Sequence, residues 1–298
     1  MKAICVGHST FDITLPFDGY PEENKKYRIK NSVECGGGPA SNGAYLLAKW
    51  GVDTTIASVI GDDYYGDLII DDFKKIGANI DYLEKKPNYR TSCSHIISNT
   101  KTGTRTILTI NSEPVRSLSR SINIKADIIL IDGEHPETAK EVLYNNPLAI
   151  SVLDAGRLNE NTRELGKLVT YVVCSKDYAE EFANKEIKIE DLDSLIYCYN
   201  ELKAYFKTNI IITLESNGSF TEIDGKYCIV PSIKVKQVDS TGAGDIFHGA
   251  FTYFIGSGYS LKDAIRYASI TGAISVTRVG SRNSIPSLQE VLEYDDII

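Results

Sequence analysis

An alternation restricts the fold of this chain more than any other feature of its sequence. Short runs rich in Ile and Val occur at Ala3–Val6, Thr54–Val59, Ile128–Ile131, Ile150–Leu153, Tyr171–Cys174 and Ile210–Leu214. Between them, Ala40–Trp50, Asp63–Ile76, Pro136–Asn145 and Asp177–Ala183 carry apolar residues at helical spacing, and Pro136 stands at a helix start, where proline sacrifices no hydrogen bond. Apolar runs without polar alternation are strands covered on both faces. Strand–helix alternation of this kind builds a largely parallel sheet with helices on either side. The expectation is an α/β fold, a doubly wound mostly parallel sheet, with residues 1–298 as a single domain.

Two regions break the rhythm. Pro16 to Glu34 is polar, and its Lys26–Glu34 part is compatible with strand alternation. Ser92–Ser98 and Arg105–Ile110 read as a hairpin around the turn-rich Asn99–Gly103. A small β-rich lid formed from about 13–35 and 91–111 accounts for both regions; a pair of edge excursions is the alternative. Exposed lid strands would leave edges to cover, which makes a homodimer through the lid an expectation.

Composition narrows the function classes. A formal net charge of −8 argues against a nucleic-acid scaffold, which needs a clustered basic face. The six cysteines form no C-x-x-C pair and have no metal-ligand spacing with the four histidines, so they read as buried thiols in a reducing cytoplasm. Met1–Val6 is too short for the apolar core of a signal peptide, and Ile246–Ile255 falls far short of a membrane span.

The chemistry concentrates in Val238–Gly249, which reads V-D-S-T-G-A-G-D-I-F-H-G before a helix-forming stretch. Gly242 and Gly244 let the backbone approach an anion, and the helix N-terminus directs N–H groups at it. Asp245 falls in the first helical turn, within reach of whatever that cradle holds. A carboxylate beside a phosphate cradle is electrostatically costly unless it has a task. Phosphoryl transfer supplies one: a base for the acceptor hydroxyl, while Gly242, Ala243 and Gly244 stabilise charge on the phosphoryl group. The competing reading is a capped helix behind a Gly-rich turn.

This string resembles the C-terminal signature of the ribokinase-like (PfkB) carbohydrate kinases, and Cys35–Ala44 (C-G-G-G-P-A-S-N-G-A) resembles the family's N-terminal Gly-Gly…Asn motif. The resemblance implies an ATP-dependent kinase of a small sugar with Asp245 as general base, and the ribokinase-like fold with its lid. It implies a sugar contact for Asp12, Gly37, Gly38, Asn42 and Glu134, and a phosphate or substrate contact for Arg105. Thr213, Glu215, Gly218, Thr241, Gly242, Gly244 and Asn283 correspond to nucleotide-binding positions. Asp239, with Arg278–Asn283, resembles a K+ site of some relatives.

One departure stands out. Ser175-Lys176-Asp177-Tyr178 occupies the place of the Asn-x-x-Glu motif that organises water around Mg2+, with neither the Asn nor the Glu present. Mg2+ is still expected as the ATP complex, and Asp177 is the candidate substitute. The segments Val173–Ala179 and Ser92–Ile97 resemble ketohexokinases, which makes a ketose such as fructose the leading substrate. Pro39 and the stretch Val276–Pro286 point instead toward ribokinases and bacterial fructokinases. A ribose, nucleoside or sugar-phosphate kinase of the same fold is the nearest rival, and a non-catalytic sugar or nucleotide sensor is the rival from another class.

Overall fold

The computed structural model describes residues 1–295. In chain order the first elements are β1 (Lys2–Val6), β2 (Thr10–Phe17), β3 (Val33–Gly37), α1 (Pro39–Lys49), β4 (Asp53–Gly61), α2 (Tyr64–Lys75) and β5 (Asn79–Lys86). The middle of the chain holds β6 (Ser92–Asn99), β7 (Arg105–Ile110), β8 (Ile128–Ile131), α3 (Pro136–Asn145), β9 (Ile150–Ala155), α4 (Glu160–Leu165) and β10 (Tyr171–Ser175). It continues through α5 (Lys176–Ala183), α6 (Leu192–Phe206), β11 (Asn209–Thr213), β12 (Ser219–Ile223) and β13 (Lys226–Val230) to α7 (Ala243–Gly256), α8 (Leu261–Ser275) and α9 (Leu288–Asp295).

Nine strands form one sheet in the order β13-β12-β11-β10-β9-β8-β1-β4-β5. Every pairing from β11 to β5 is parallel, and β12 and β13 add an antiparallel edge. All six apolar runs of the sequence lie in this sheet. Their continuity follows from burial on both faces. In β8, Ile128 and Leu130 join a core with α1, α2, α7 and α8, while Ile129 and Ile131 join a second core with α3 and α6. Apolar side chains on both faces therefore hold the strand ends at fixed positions.

A second, four-stranded sheet has the order β3-β2-β6-β7. Its strands come from residues far apart in the chain, with β2 pairing β6 in parallel from Thr10↔Ser92 to Phe17↔Asn99. β3 covers β2 only from Thr10 to Thr14, so Pro16, with no N–H to give, sits where one side of the strand has no partner. The expectation of strands over Lys26–Glu34 needs correction: strand begins only at Val33, and residues 24–32 are exposed. Charged and polar residues dominate there and pair with no strand; Tyr27 packs back, edge-on to Phe17 at 4.8 Å. No helix among the described residues is long and apolar enough to cross a membrane.

Candidate active site

The carboxyl ends of β8, β9, β10 and β11 carry Asp132, Asp154, Ser175 and Thr213, at the side of an open α/β sheet where ligands bind. The N-terminus of α7 approaches the same side. Gly242 takes the left-handed conformation there (φ 73°), and a Cβ on it would lie 2.7 Å from that of Ser281. Gly244 has no atom within 4 Å of where its Cβ would stand, so the first turn opens on a cleft of about 230 Å³. An α-helix leaves its first N–H groups without intrahelical acceptors, and an anion bound at the helix end accepts from them. Asp154, Ser175, Thr213, Asp245 and His248 line the cleft from the large sheet and α7, and Arg105 lines it from the small sheet.

The two sequence motifs, about two hundred residues apart, meet here. Asn42, in the first turns of α1, donates from Nδ2 to Oδ2 of Asp245 at 2.7 Å. Burial and the charge of Asp154 push the Asp245 carboxyl up to about 6, with the Asn42 hydrogen bond working against them. Asp12 lies on β2 between Cys35 and Ser94, and burial and the Asp245 charge raise it to about 7, while Arg282, Ser94 and Ser281 pull the other way. Asp12 and Asp245 thus feel each other's charge.

The glycines make room for this arrangement. A Cβ on Gly37 would stand 2.1 Å from Oδ2 of Asp12. Gly38 is left-handed (φ 98°), and a Cβ there would lie 2.3 Å from the carbonyl oxygen of His8. Arg105, on exposed β7, reaches across to the glycine loop and donates from Nη1 to Oγ of Ser240 at 2.6 Å. Gln237 donates in return to the carbonyl of Gly103, in the β6–β7 turn, at 2.7 Å.

Other expected site residues have different surroundings. Glu134 is exposed, and its amide donates to Asp132, whose carboxylate also ties down the amides of His8 and Ala40. Thr213 lines the cleft, but its hydroxyl donates to the carbonyl of Cys174. Glu215 is exposed with φ 53°, and Gly218 is required by the turn, because a Cβ there would sit 2.1 Å from the Val230 carbonyl oxygen. Asn283 is exposed beside Arg282. Thr241 is buried and donates to Asp239 from both its amide (3.0 Å) and its hydroxyl (2.7 Å), and the amide of Gly280 reaches the other Asp239 oxygen at 2.9 Å. Asp239 therefore clamps the glycine loop to residues 278–283. Asp177 is exposed in the first turn of α5 and does not line the cleft.

Sequence reasoning missed Asp154 and His248, and it gave Ser281 and Arg282 only as part of the loop Arg278–Asn283, not as neighbours of Asp12 and Asn42. Asp154 had a signal: a carboxylate ending a buried apolar strand that runs toward the ligand side. His248 had a weaker one, three residues beyond Asp245 on the same helix. Its Nδ1 lies 2.6 Å from the Gly244 carbonyl and 3.1 Å from Oδ2 of Asp154, and its Nε2 lies 3.1 Å from the Val173 carbonyl. Acceptors surround both ring nitrogens, and burial lowers the proton affinity of the ring while it raises the Asp154 carboxyl to about 8. Arg282 and Ser281 had no local signal, since only the tertiary fold brings them to the site.

The chain is similar to known proteins over nearly its whole length. The model of the pfkB family carbohydrate kinases matches residues 1–288. The chain is 26% identical to the ribokinase of Bacillus subtilis over 306 residues, covering 98% of this chain and 99% of that one. It is 29% identical to the ribokinase of Schizosaccharomyces pombe, over 86% of this chain and 85% of the other. Among solved structures, the ribokinase of Thermotoga maritima superposes with a TM-score of 0.81 at 24% identity, over 99% of both chains. The ribokinase of Arabidopsis thaliana complexed with ribose and ATP superposes with a TM-score of 0.76 at 21% identity, over 98% of this chain and 97% of that one.

Proposed function

The chain belongs to the pfkB family of carbohydrate kinases, and from that premise we propose that Asp245 deprotonates a hydroxyl of a small free sugar as it attacks the γ-phosphoryl of MgATP. The family makes the chain an ATP-dependent phosphotransferase and sugar kinase. The residue roles are our reading. The observation that carries it is the 2.7 Å hydrogen bond from Asn42 to Asp245, which joins the glycine-rich sugar motif to the helix N-terminus that receives phosphate.

In this reading the sugar lies against Asp12, Gly37, Gly38 and Asn42, whose carboxylate, backbone and amide suit adjacent hydroxyls. The triphosphate runs toward Gly242, Ala243 and Gly244, with Arg105 and Thr213 beside it. Asn283, Glu215 and Gly218 bound the nucleotide side. Gly218 also has its structural reason, and Thr241 contributes through its amide and its grip on Asp239. Mg2+, when bound with ATP, offsets charge on the phosphates; Asp154 is the cleft carboxylate that suits its hydration shell. Asp239 already accepts three hydrogen bonds, so a K+ ion there would rest mainly on backbone carbonyls. Glu134 stands apart as an outer sugar contact. The small sheet serves as a lid that keeps water from the phosphoryl group.

The Bacillus subtilis and Schizosaccharomyces pombe relatives are ribokinases, and deoxyribokinases occur among the relatives at 24% identity, so ribose or a close analogue is the favoured substrate. Fructose retains only the support of the ketohexokinase-like segments. Six free cysteines, five of them buried, suit a reducing compartment such as the cytoplasm. A coupled ADP-release assay across ribose, deoxyribose, fructose, nucleosides and sugar phosphates tests the assignment. We expect the highest kcat/KM with ribose or deoxyribose; a tenfold preference for fructose or for a nucleoside overturns it.

A further inference from the structure

Arg282 is the bulkiest of the fully buried side chains among the described residues, and neither the sugar contacts nor the phosphate cradle requires it. A guanidinium removed from water is costly unless its donors are used. Three elements are shaped around this one. Its guanidinium carbon lies over the rings of both Tyr45 on α1 and Phe73 on α2, at 5.0 and 4.5 Å. On β3, a Cβ at Gly36 would stand 2.1 Å from Nη1. Its contact with Asp72 is 3.5 Å, too long for a strong ion pair, and Asp72 is itself engaged by the amide of Gly36 at 3.0 Å. The better bonds go to α1. Nη2 donates to Oγ of Ser41 at 2.7 Å, and Nε donates to Oδ1 of Asn42 at 3.3 Å.

The direction of the second bond matters. Arginine only donates, so the atom of Asn42 facing it has to be the carbonyl oxygen. The amide nitrogen then faces the opposite way, toward Asp245. A flipped Asn42 would set its oxygen against the carboxylate, acceptor against acceptor.

We propose that Arg282 is a positioning residue for phosphoryl transfer: by donating to Oδ1 of Asn42 it fixes the amide orientation in which Nδ2 holds the Asp245 carboxylate. This rests on the reading of Asp245 as the base, and deepens it. Asp245 is also faced by Asp154 from β9, Asp12 from β2, His248 from its own helix and Arg105 from β7. Of these, Asp12 is itself held down by the Arg282 charge, so a shift in the titration of Asp245 on replacing Arg282 reports on the Asn42 bond, the guanidinium charge and Asp12 together, and the Asn42→Ala background isolates the bond.

The test compares Arg282→Met, which approximates the volume and the packing against the two rings but removes every donor, with Arg282→Gln, which keeps an amide NH2 donor. Each is made in the wild-type and in the Asn42→Ala background. Thermal midpoints establish folding. We expect Arg282→Met to lower kcat about 10- to 100-fold, the scale of a misplaced catalytic group. KM for MgATP should hold, and the acid limb of kcat should move to higher pH. Arg282→Gln should stay within a few fold of wild type. In the Asn42→Ala background Arg282→Met should cause no further loss, since the group it acts through is gone.

A folded Arg282→Met enzyme with wild-type kcat and acid limb overturns the proposal. So does a loss that is equally large in the Asn42→Ala background. If Arg282→Met fails to fold, Arg282→Leu takes its place, which also removes every donor; wild-type kcat in that variant overturns the proposal equally. Wild-type turnover in Asp245→Asn is a different result, and it removes the base itself rather than its positioning.

Discussion

The first turn of α7 and the small four-stranded sheet face one another across a single cleft, yet they are built in opposite ways. Behind the cleft-facing turn of α7 the chain is covered. Ile246, Phe251 and Phe254 lie in the core, Asn42 holds Asp245, and Asp239 anchors the preceding loop. Along β7 of the small sheet, all six residues are exposed, including Ile107, Leu108 and Ile110, and this strand meets the cleft through one long arginine, while β2 of the same sheet brings in the buried Asp12. Burial lets one region shift the proton affinity of its carboxylates. Exposure leaves the other its charge in solvent. In our proposal the chemistry belongs to the first region and its gating to the outer strand of the second.

Replacement of Asp245 should separate them most sharply. Asp245→Asn removes the base from the covered region, and we expect kcat to fall about 10²- to 10⁴-fold, with ATP binding kept. ADP release with saturating sugar measures the first, and protection against thermal unfolding by MgATP the second. Wild-type kcat would break the comparison at its root. A smaller effect is expected across the cleft. Arg105→Ala should cost about tenfold in kcat/KM for ATP and almost nothing in stability, because the side chain is exposed. A loss as large as that of Asp245→Asn would make the small sheet part of the chemistry.

The raised carboxyls give a pH test. In the unfolded chain an Asp ionises near about 3.9. In the folded chain Asp245 ionises near about 6 and Asp12 near about 7. Between these values the folded state binds more protons, so its stability falls as pH rises from about 4 to about 7. Unliganded Asp245→Asn should therefore melt a few degrees above wild type at pH 8, and the gap should close toward pH 4. In the active enzyme, kcat should fall on the acid side with a midpoint near the Asp245 value of about 6. A midpoint near 4 would mean that binding of substrate undoes the effect of burial.

The smallest effect concerns the open edge. We propose that a second copy of the chain covers β7. Leu108→Lys should then lower the solution mass at micromolar concentration without changing kcat. A wild-type chain that is strictly monomeric ends that reading.

Much of this molecule was legible before its structure. Continuous apolar runs can be buried only between two layers, so the large sheet followed from pattern alone. The D-S-T-G-A-G-D string pointed to the cleft-lining turn of α7, where Gly242 is left-handed and Gly244 is open. The polar segment before β3 was harder, since exposed charged residues hold no period; it contributes only Val33–Gly37 to the small sheet. Contacts made across distance were not legible at all. Asn42 and Asp245 are 203 residues apart and Arg282 lies 240 from Asn42, so nothing local reports that they touch. The sequence by itself determined the layers, the glycine turns and the identity of the carboxylate at the head of α7. Only the tertiary structure decided what surrounds that carboxylate, because proton affinity and orientation depend on burial and neighbours, which the fold assembles from segments far apart in the chain.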